Sequence, residues 1–251
     1  MLNPPSISLA LPARGSRAFT LLELLVVIGI IAILVAIAMP VIGGVQSKGK
    51  QAASMSNMRQ IGAALLAYAN ENDGALPETT HTTGVKFERA WIYALRPFLG
   101  NLDKVRVCPA DPIGEQRLKA NGTSYVLNSY VFVPRTGPFG ENLGSLNHLR
   151  SLPYPARTHI AFNVSEEQGA SVMSDHTHSE SWIRNWRRVR ADIEPNRFRS
   201  GRTNAEHTNG TANYLYLDGH VESLTARDLK RRIEGGEAFG KPPINPEDLA
   251  R

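Results

Sequence analysis

Cysteine is almost absent from this chain: Cys108 is the single cysteine in 251 residues. An intrachain disulfide and a metal site built from several cysteines are therefore excluded. A domain outside the cytoplasm would have to be held together by packing alone.

Sequence signatures of catalysis are also absent. The chain contains no Gly-x-Ser-x-Gly, no phosphate-binding glycine loop and no His-Glu-x-x-His. Cys108 lies in the turn-rich segment 108–112 (CPADP), where a lone cysteine is more typical of a small buried side chain than of a nucleophile. We therefore expect neither an enzyme nor a bound cofactor.

Charge is missing over one long stretch. Residues 24–45 form a run of 22 residues without a charged side chain. As a helix this run is about 33 Å long, close to the roughly 30 Å hydrocarbon core of a bilayer. The sequence therefore predicts one membrane-spanning helix, and the remaining length suits one soluble domain rather than two.

Glu23 stands at the leading edge of this apolar run. A lone carboxylate is costly in lipid and is normally explained by a partner or by function. The small residue Ala18 comes before the run, whereas an ordinary secretory signal has its small-residue cleavage site after the apolar region. Cleavage at Ala18 would therefore leave the hydrophobic helix on the mature protein.

The segment 18–28 (AFTLLELLVVI), preceded by a short basic leader, resembles the processing site of type IV prepilins and type II secretion pseudopilins. The resemblance implies that a prepilin peptidase cuts between Ala18 and Phe19 and that the new amine of Phe19 is N-methylated. It also implies that Glu23 is needed for assembly. The family usually has Gly before the cut, and Ala18 departs from that pattern.

The resemblance also implies partners and a location. The partners are the prepilin peptidase and methyltransferase, other pilin or pseudopilin subunits, and the inner membrane. The chain would cross that membrane once with a periplasmic head, and its assembled form would be a periplasmic or extracellular filament.

An ion pair between subunits would explain the buried acid. In the filament, the carboxylate of Glu23 would lie beside the Phe19 amine of a neighbouring subunit, which replaces lost hydration. The alternative is a plain signal anchor in which Glu23 lies at the membrane interface.

Helical periodicity continues beyond the apolar run. One face of residues 46–72 carries Ala52, Met55, Met58, Ile61, Leu65 and Tyr68 at three- and four-residue steps. A single helix is therefore predicted from residue 19 to 72, with a kink at Pro40 and an end at Asp73-Gly74. The predicted organisation is a leader (1–18), a transmembrane and assembly helix (19–45), its amphipathic half (46–74), a soluble head (75–236) and a flexible tail (237–251).

The predicted fold class is α+β, with the long N-terminal helix packed on an antiparallel sheet as in pilin-like proteins. A short helix is predicted at 87–99, and strands at 123–133 and 157–164. Residues 207–222 predict a hairpin that turns at Asp218-Gly219. A last helix at 225–234 has Thr225 as its cap and Gly235-Gly236 as its stop.

The end of the chain also resembles a pilin-like subgroup that carries His, nine residues and then Asp-Gly-His-Val. Here ten residues separate His207 from Asp218, and a bulge or shifted loop is expected. The segments 108–112 (CPADP) and 124–128 (SYVLN) are similar to that subgroup too. This resemblance implies fold and processing rather than an activity.

Two imidazoles stand two residues apart at His176 and His178, and they share one face if the segment is extended. His207, Asp218 and His220 could join them as metal ligands. Polar loops explain the first two without a metal, and hairpin chemistry explains Asp218. Because no spacing matches a known metal site, the sequence predicts no metal, with these five residues as the candidates.

Seven arginines between residues 184 and 202 are interleaved with Trp182, Trp186 and Phe198. This composition is typical of a surface that binds phosphates and stacks on bases. The candidates for contact with an anionic partner such as DNA are Arg184, Arg187, Arg188 and Arg190. We nevertheless interpret the segment as a solvated loop, since Asp192 and Glu194 dilute the charge and no nucleic-acid-binding fold motif is present, and we keep the anionic partner as the alternative.

Together these features predict a pilin-like structural subunit of a type IV pilus or a type II secretion pseudopilus. The alternative is a membrane-anchored surface protein that binds an anionic ligand or DNA and never polymerises. Filament incorporation, and its dependence on Glu23, distinguishes the two.

Overall fold

The computed structural model describes residues 20–83, 88, 90–134, 139, 144–171, 173 and 175–250, without the side chains at 38–42, 83 and 250. The chain forms two compact units, residues 1–42 and 43–251. The α-helices are α1 (Leu21–Glu71), α2 (Thr80–Thr83), α3 (Trp91–Ala94), α4 (Leu102–Val105), α5 (Gly114–Lys119), α6 (Ser129–Phe132), α7 (Trp186–Asp192) and α8 (Ala226–Glu234). The strands are β1 (Tyr125–Asn128), β2 (His159–Asn163), β3 (His176–Thr177), β4 (Thr211–Tyr216) and β5 (Val221–Thr225).

Helix α1 confirms the predicted long N-terminal helix. Its end is also the predicted one, because Asp73 and Gly74 have positive φ angles of 54° and 91°. The amide of Gly74 donates to the carbonyl of Ala69 at 2.7 Å, which closes the last turn in the left-handed conformation that glycine favours. The helix is continuous through Pro40, and the kink expected there stays a prediction.

The N-terminal predictions extend beyond what the structure describes. The leader 1–18 and Phe19 lie outside the described residues, and the predicted crossing at 24–45 includes side chains 38–42 that lie outside them as well. Within the described part of the chain, no helix combines the length and the apolar character that a membrane crossing requires.

The part of α1 in the second unit packs through an apolar stripe. The fully buried members of the predicted stripe are Met58, Ile61 and Leu65. Met55 and Tyr68 are partly buried against the same core, whereas Ala52 is exposed. Burial of one such aliphatic side chain contributes about 1.5–3 kcal/mol, and this stripe therefore holds the helix on the head.

Next to the exposed Ala52, α1 contacts the sheet through a polar residue, Gln51. The side-chain amide of Gln51 donates to Thr211 Oγ1 at 3.1 Å and to Ser223 Oγ at 3.0 Å. The amide of Asn213 in turn donates to the carbonyl of Gln51 at 3.0 Å. At this end of the stripe, α1 is therefore held against β4 and β5 by hydrogen bonds rather than by apolar contacts.

The sheet has five strands in the order β3-β1-β2-β4-β5. All neighbours are antiparallel except β1 and β3, which run parallel with Leu127 opposite His176. The α+β fold predicted from the sequence is thereby confirmed, with a mixed and mostly antiparallel sheet. The parallel strand is only two residues long, too short for sequence periodicity to reveal.

Both faces of the sheet are covered. Alternate strand residues point to opposite faces, and those packed in the core cluster with α1 are Leu127, Ala161 and Leu215. Those packed in the second cluster, which includes residues of α7 and α8, are Val126, Phe162 and Tyr214. The sheet is therefore the middle of three layers, which explains why β1 and β2 are buried at every residue.

The predicted strand at 123–133 is wrong in its second half, where helix α6 replaces it. Asn128 ends β1, and its side-chain oxygen accepts from the amide of Tyr130 at 3.2 Å, a local bond that favours the start of a helix. Val131 and Phe132 are buried within this turn. Their β-branched and aromatic side chains are thus used for packing, not for strand pairing.

The other predicted elements of the head are largely confirmed. Strand β2 falls within the strand predicted at 157–164, and β4 and β5 form the predicted hairpin, with Gly219 at φ 88°. Helix α8 is capped as predicted, since Thr225 Oγ1 accepts from the amide of Asp228 at 3.1 Å. The helix predicted at 87–99 is divided into α3 and a 3₁₀-helix at Arg96–Phe98.

Part of the segment predicted as a flexible tail is packed on the head. Phe239 is buried, with its ring centroid 4.2 Å from that of His159. The carbonyl of Gly240 accepts from the side-chain amide of Asn128 at 2.6 Å. The proline-rich composition favoured mobility here. It gave no sign that Phe239 packs on the head, because the residues that contact Phe239 come together only in the folded protein.

Candidate functional site

The N-terminal end of α1 places Glu23 in its first turn. The amide of Glu23 donates to Thr20 Oγ1 at 3.2 Å, and the amide and hydroxyl of Thr20 donate to Glu23 Oε2 at 2.9 and 2.8 Å. This reciprocal pair is a capping box, in which an acid three residues into the helix stabilises the helix start. The predicted cut site, Ala18 and Phe19, lies outside the described residues.

The first unit presents apolar side chains on every side of its helix. Every described side chain from Thr20 to Ile37 is exposed, including Leu24, Ile28 and Leu34 at more than half of their surface. A helix that is hydrophobic all round is stable only when something covers it. These side chains therefore form an apolar surface that the single chain leaves uncovered.

The two internal segments that resemble the pilin-like subgroup meet in the second unit. Asp111, from the CPADP segment, forms an ion pair with Arg117 in which Oδ2 lies 2.7 Å from Nε, and both side chains are completely buried. The hydroxyl of Ser124 donates to the same carboxylate at 2.6 Å. Arg117 also donates to the carbonyls of Gly169 and Ser165 at 2.7 and 3.2 Å. These residues form a structural ion pair in the core.

Asn128 in the same segment joins three parts of the head. Its side-chain nitrogen donates to the carbonyls of His159 and Gly240, at 2.8 and 2.6 Å, and its oxygen accepts from Ser179 Oγ at 2.7 Å.

Cys108, in the CPADP segment, is also buried, and burial raises the pKa of its thiol. A thiol held in its protonated form is a poor nucleophile.

The metal candidates do not gather as a group of five. His207 Nδ1 lies 3.0 Å from Oε1 of buried Glu194. At the hairpin turn, His220 Nδ1 is hydrogen-bonded to Asp218 Oδ1 at 2.5 Å. Only His176 and His178, around strand β3, share a cluster. The extended backbone puts their rings on one side with centroids 5.1 Å apart.

A third imidazole that sequence spacing did not reveal completes this cluster. His81 lies on α2, and its ring centroid is 5.4 Å from that of His176 and 5.7 Å from that of His178. Partial burial and the neighbouring imidazole of His176 lower the pKa of His178. No local pattern links positions 81 and 176, since only the fold brings α2 to the edge strand.

The arginine candidates differ in their surroundings. Arg184, Arg187 and Arg188 are exposed, and Arg190 is half-buried. Arg188 is paired with Asp192 at 3.1 Å, and Arg190 donates to the carbonyl of Ala205 at 2.6 Å.

The aromatic residues of that segment serve the core. Trp182, Trp186 and Phe198 are at most 6% exposed, and Trp182 Nε1 donates to Asp192 at 2.8 Å. The faces of these three rings are therefore not available to stack on bases. Contact between the exposed arginines and an anionic partner stays a prediction.

Residues 13–39 match the family model described as the prokaryotic N-terminal methylation motif. The motif implies prepilin-type cleavage and methylation, and hence a membrane-anchored precursor processed by prepilin peptidase. It is consistent with the type IV pilin-like family, which typically consists of structural subunits. Neither a curated protein nor a solved structure matches the chain.

The pilin-like head contains one strongly perturbed histidine. Burial, with Arg232 as the next contribution, lowers the pKa of His159 from 6.5 to about 3. The neutral ring packs against Phe239 and Tyr216, whose ring centroids lie 4.2 and 4.4 Å from its own. His220 and Arg157 also disfavour its protonation.

Acid should therefore destabilise the head through His159. Below pH 6.5 the unfolded chain binds a proton that the folded ring does not take up until about pH 3. Within that window this group lowers the free energy of unfolding by about 1.4 kcal/mol for each unit of falling pH. We expect His159→Phe to reduce the slope of stability against pH by about that amount, measured by urea unfolding between pH 4 and pH 6.5. Equal slopes in the two proteins would contradict this assignment.

Proposed function

We propose that this chain is a pilin-like structural subunit, cut before Phe19, N-methylated there, and assembled into a type IV pilus or a type II secretion pseudopilus. The observation that carries the proposal is the methylation motif at residues 13–39. The motif includes the start of α1, where every described side chain from residue 20 to 37 is exposed and most of them are apolar. Processing that keeps this helix on the mature protein makes it available for assembly.

The apolar surface of that helix supports the assembly role. Side chains such as Leu25, Ile30 and Leu34 are each more than half exposed in the single chain. A subunit that left the bilayer alone would expose this surface to water, at a cost of about 25 cal/mol for each Å² of apolar surface. Side-by-side packing of such helices would keep the surface covered outside the membrane. In a filament the helices would form the core, and the heads would face outward.

Glu23 supports the same role. Its carboxylate is held at the start of α1 by Thr20, four residues from the amine that cleavage before Phe19 would create. A methylated amine keeps its positive charge, and a neighbouring subunit could therefore neutralise Glu23 in a dry core. Each subunit offers one such acid and one such amine, and the pairing would set the register between neighbours.

Mass spectrometry of the chain isolated from its host tests the processing step. We expect the mature protein to begin at Phe19 and to be heavier than the unmodified fragment by one methyl group. Ala18→Gly serves as the matched control and should be cut at the same bond, since it restores the residue usual in the family. A native polypeptide that still begins at Met1 would contradict the proposal.

A further inference from the structure

We propose that His81, His176 and His178 form a binding site for one transition-metal ion of the Zn²⁺ class on the head. One nitrogen atom from each ring lies within 4.8 Å of those of the other two. Their rings are mutually tilted, with interplanar angles of 70–89°. No two of these rings are stacked face to face, and one nitrogen of each ring can therefore turn toward a common ion.

Asp175 holds the imidazole of His176 in an orientation suited to metal binding. Its side chain is completely buried, and Oδ1 lies 2.8 Å from His176 Nδ1. A carboxylate on one ring nitrogen fixes the tautomer, orients the ring and makes the other nitrogen a better ligand. His176 is therefore prepared to present Nε2.

The same carboxylate also fixes the segment that carries His81. The amide of Thr80 donates to Asp175 Oδ2 at 2.9 Å, and its hydroxyl donates to Oδ1 at 2.7 Å. Trp91 Nε1 donates to the carbonyl of Asp175 at 3.1 Å, and this bond anchors the backbone. One buried residue thus joins two ligand-bearing segments that are 95 positions apart in the chain.

The chemistry of the ligand set selects the metal. Imidazole suits Zn²⁺, Cu²⁺ and Ni²⁺, whereas Ca²⁺ and Mg²⁺ prefer oxygen ligands. Three protein nitrogens with a fourth position left to water or another ligand is a known arrangement for Zn²⁺. With Zn–N bonds of about 2.0–2.1 Å, tetrahedral ligand nitrogens lie roughly 3.4 Å apart. Small ring rotations of exposed His81 and His178 would close the site.

Metal titration of the full-length chain, purified without a polyhistidine tag, tests the site. We expect one Zn²⁺ per chain by calorimetry, and one Co²⁺ per chain with the visible absorption of a four-coordinate ion. His81→Ala and His178→Ala should each weaken Zn²⁺ binding at least about tenfold. His207→Ala is the matched control, since its ring lies beside Glu194 outside the cluster, and it should bind as the wild type does.

Two further measurements keep structural and ligand roles apart. Circular dichroism should be unchanged in His81→Ala, because this side chain is exposed. Asp175→Asn should fold less stably, and any folded fraction should bind Zn²⁺ about 10–100-fold more weakly. Absence of stoichiometric Zn²⁺ binding, or equal affinity in folded His81→Ala and the wild type, would overturn the proposal.

Discussion

Replacing Asp111 by Asn is expected to lower the free energy of unfolding by about 3–5 kcal/mol, the cost of removing one partner from a buried ion pair. Asp111 and Arg117 are both completely buried and lie 2.7 Å apart. Without the carboxylate, the guanidinium keeps its backbone partners and loses its charge partner. Burial already lowers the pKa of Arg117, and Asp111 is what opposes that effect.

The loss extends beyond one bond because several groups share the carboxylate. Ser124 Oγ donates to Asp111 Oδ2 at 2.6 Å, and the amide of Ile113 donates to Oδ1 at 3.1 Å. An asparagine keeps one acceptor oxygen and turns its NH₂ toward donors that it cannot satisfy. Most ordinary domains have only 5–15 kcal/mol of stability, and we therefore expect the variant to be marginally folded at 37 °C.

Urea unfolding, followed by tryptophan fluorescence, measures this effect. The reporters are Trp91, Trp182 and Trp186, which are all buried. Asp103→Asn is the matched control, since it removes the same charge from an ion pair with Arg106 in which Asp103 is 70% exposed. The control should cost less than about 1 kcal/mol. Similar losses in the two variants would show that the Asp111 pair is not the stabilising element inferred here.

Glu23→Gln is expected to reduce incorporation into filaments by more than about a hundredfold, if the subunit assembles as proposed. Removing one partner of a desolvated ion pair costs about 3–5 kcal/mol, and each 1.4 kcal/mol is a factor of ten in affinity. Glutamine keeps an oxygen that can accept from Thr20, and a capping box tolerates it. The variant therefore removes the charge and preserves the local start of α1.

The same substitution at the other end of α1 provides the control. Glu71 is the last residue of the helix and is exposed, and Glu71→Gln should assemble normally. The measurement is the fraction of chain recovered in sheared or sedimented filaments, compared with the fraction in membranes. Normal incorporation of Glu23→Gln would contradict the pairing. If the wild-type chain never entered a filament, a non-polymerising surface protein would be favoured.

Local signals predicted several of the regular elements. The three- and four-residue spacing of Met58, Ile61 and Leu65 identified the packed face of α1, and Asp73-Gly74 marked its end. Asp218-Gly219 located the β4–β5 turn, and Thr225 located the start of α8. Each of these depends on side chains within a few positions of one another, where hydrogen bonding and backbone conformation are decided locally.

Signals of composition were less reliable where burial decided the outcome. The tryptophans among the arginines suggested a surface for bases, yet Trp182 and Trp186 are buried in the second core cluster. Phe239 stands in a proline-rich segment that suggested mobility, yet it packs on His159. In both cases an aromatic side chain gains more from a core than from solvent, and no local pattern specifies which core receives it.

The sequence by itself determined the N-terminal processing motif, the long α1 helix with Glu23 in its first turn, and the α+β class of the head, because these depend on neighbouring residues and on periodicity. Only the tertiary structure decided that Asp111 pairs with Arg117 in the core and that His81 joins His176 and His178 through Asp175. Those contacts join positions far apart in the chain, and their partners are selected by three-dimensional packing and by the cost of burying unpaired polar groups.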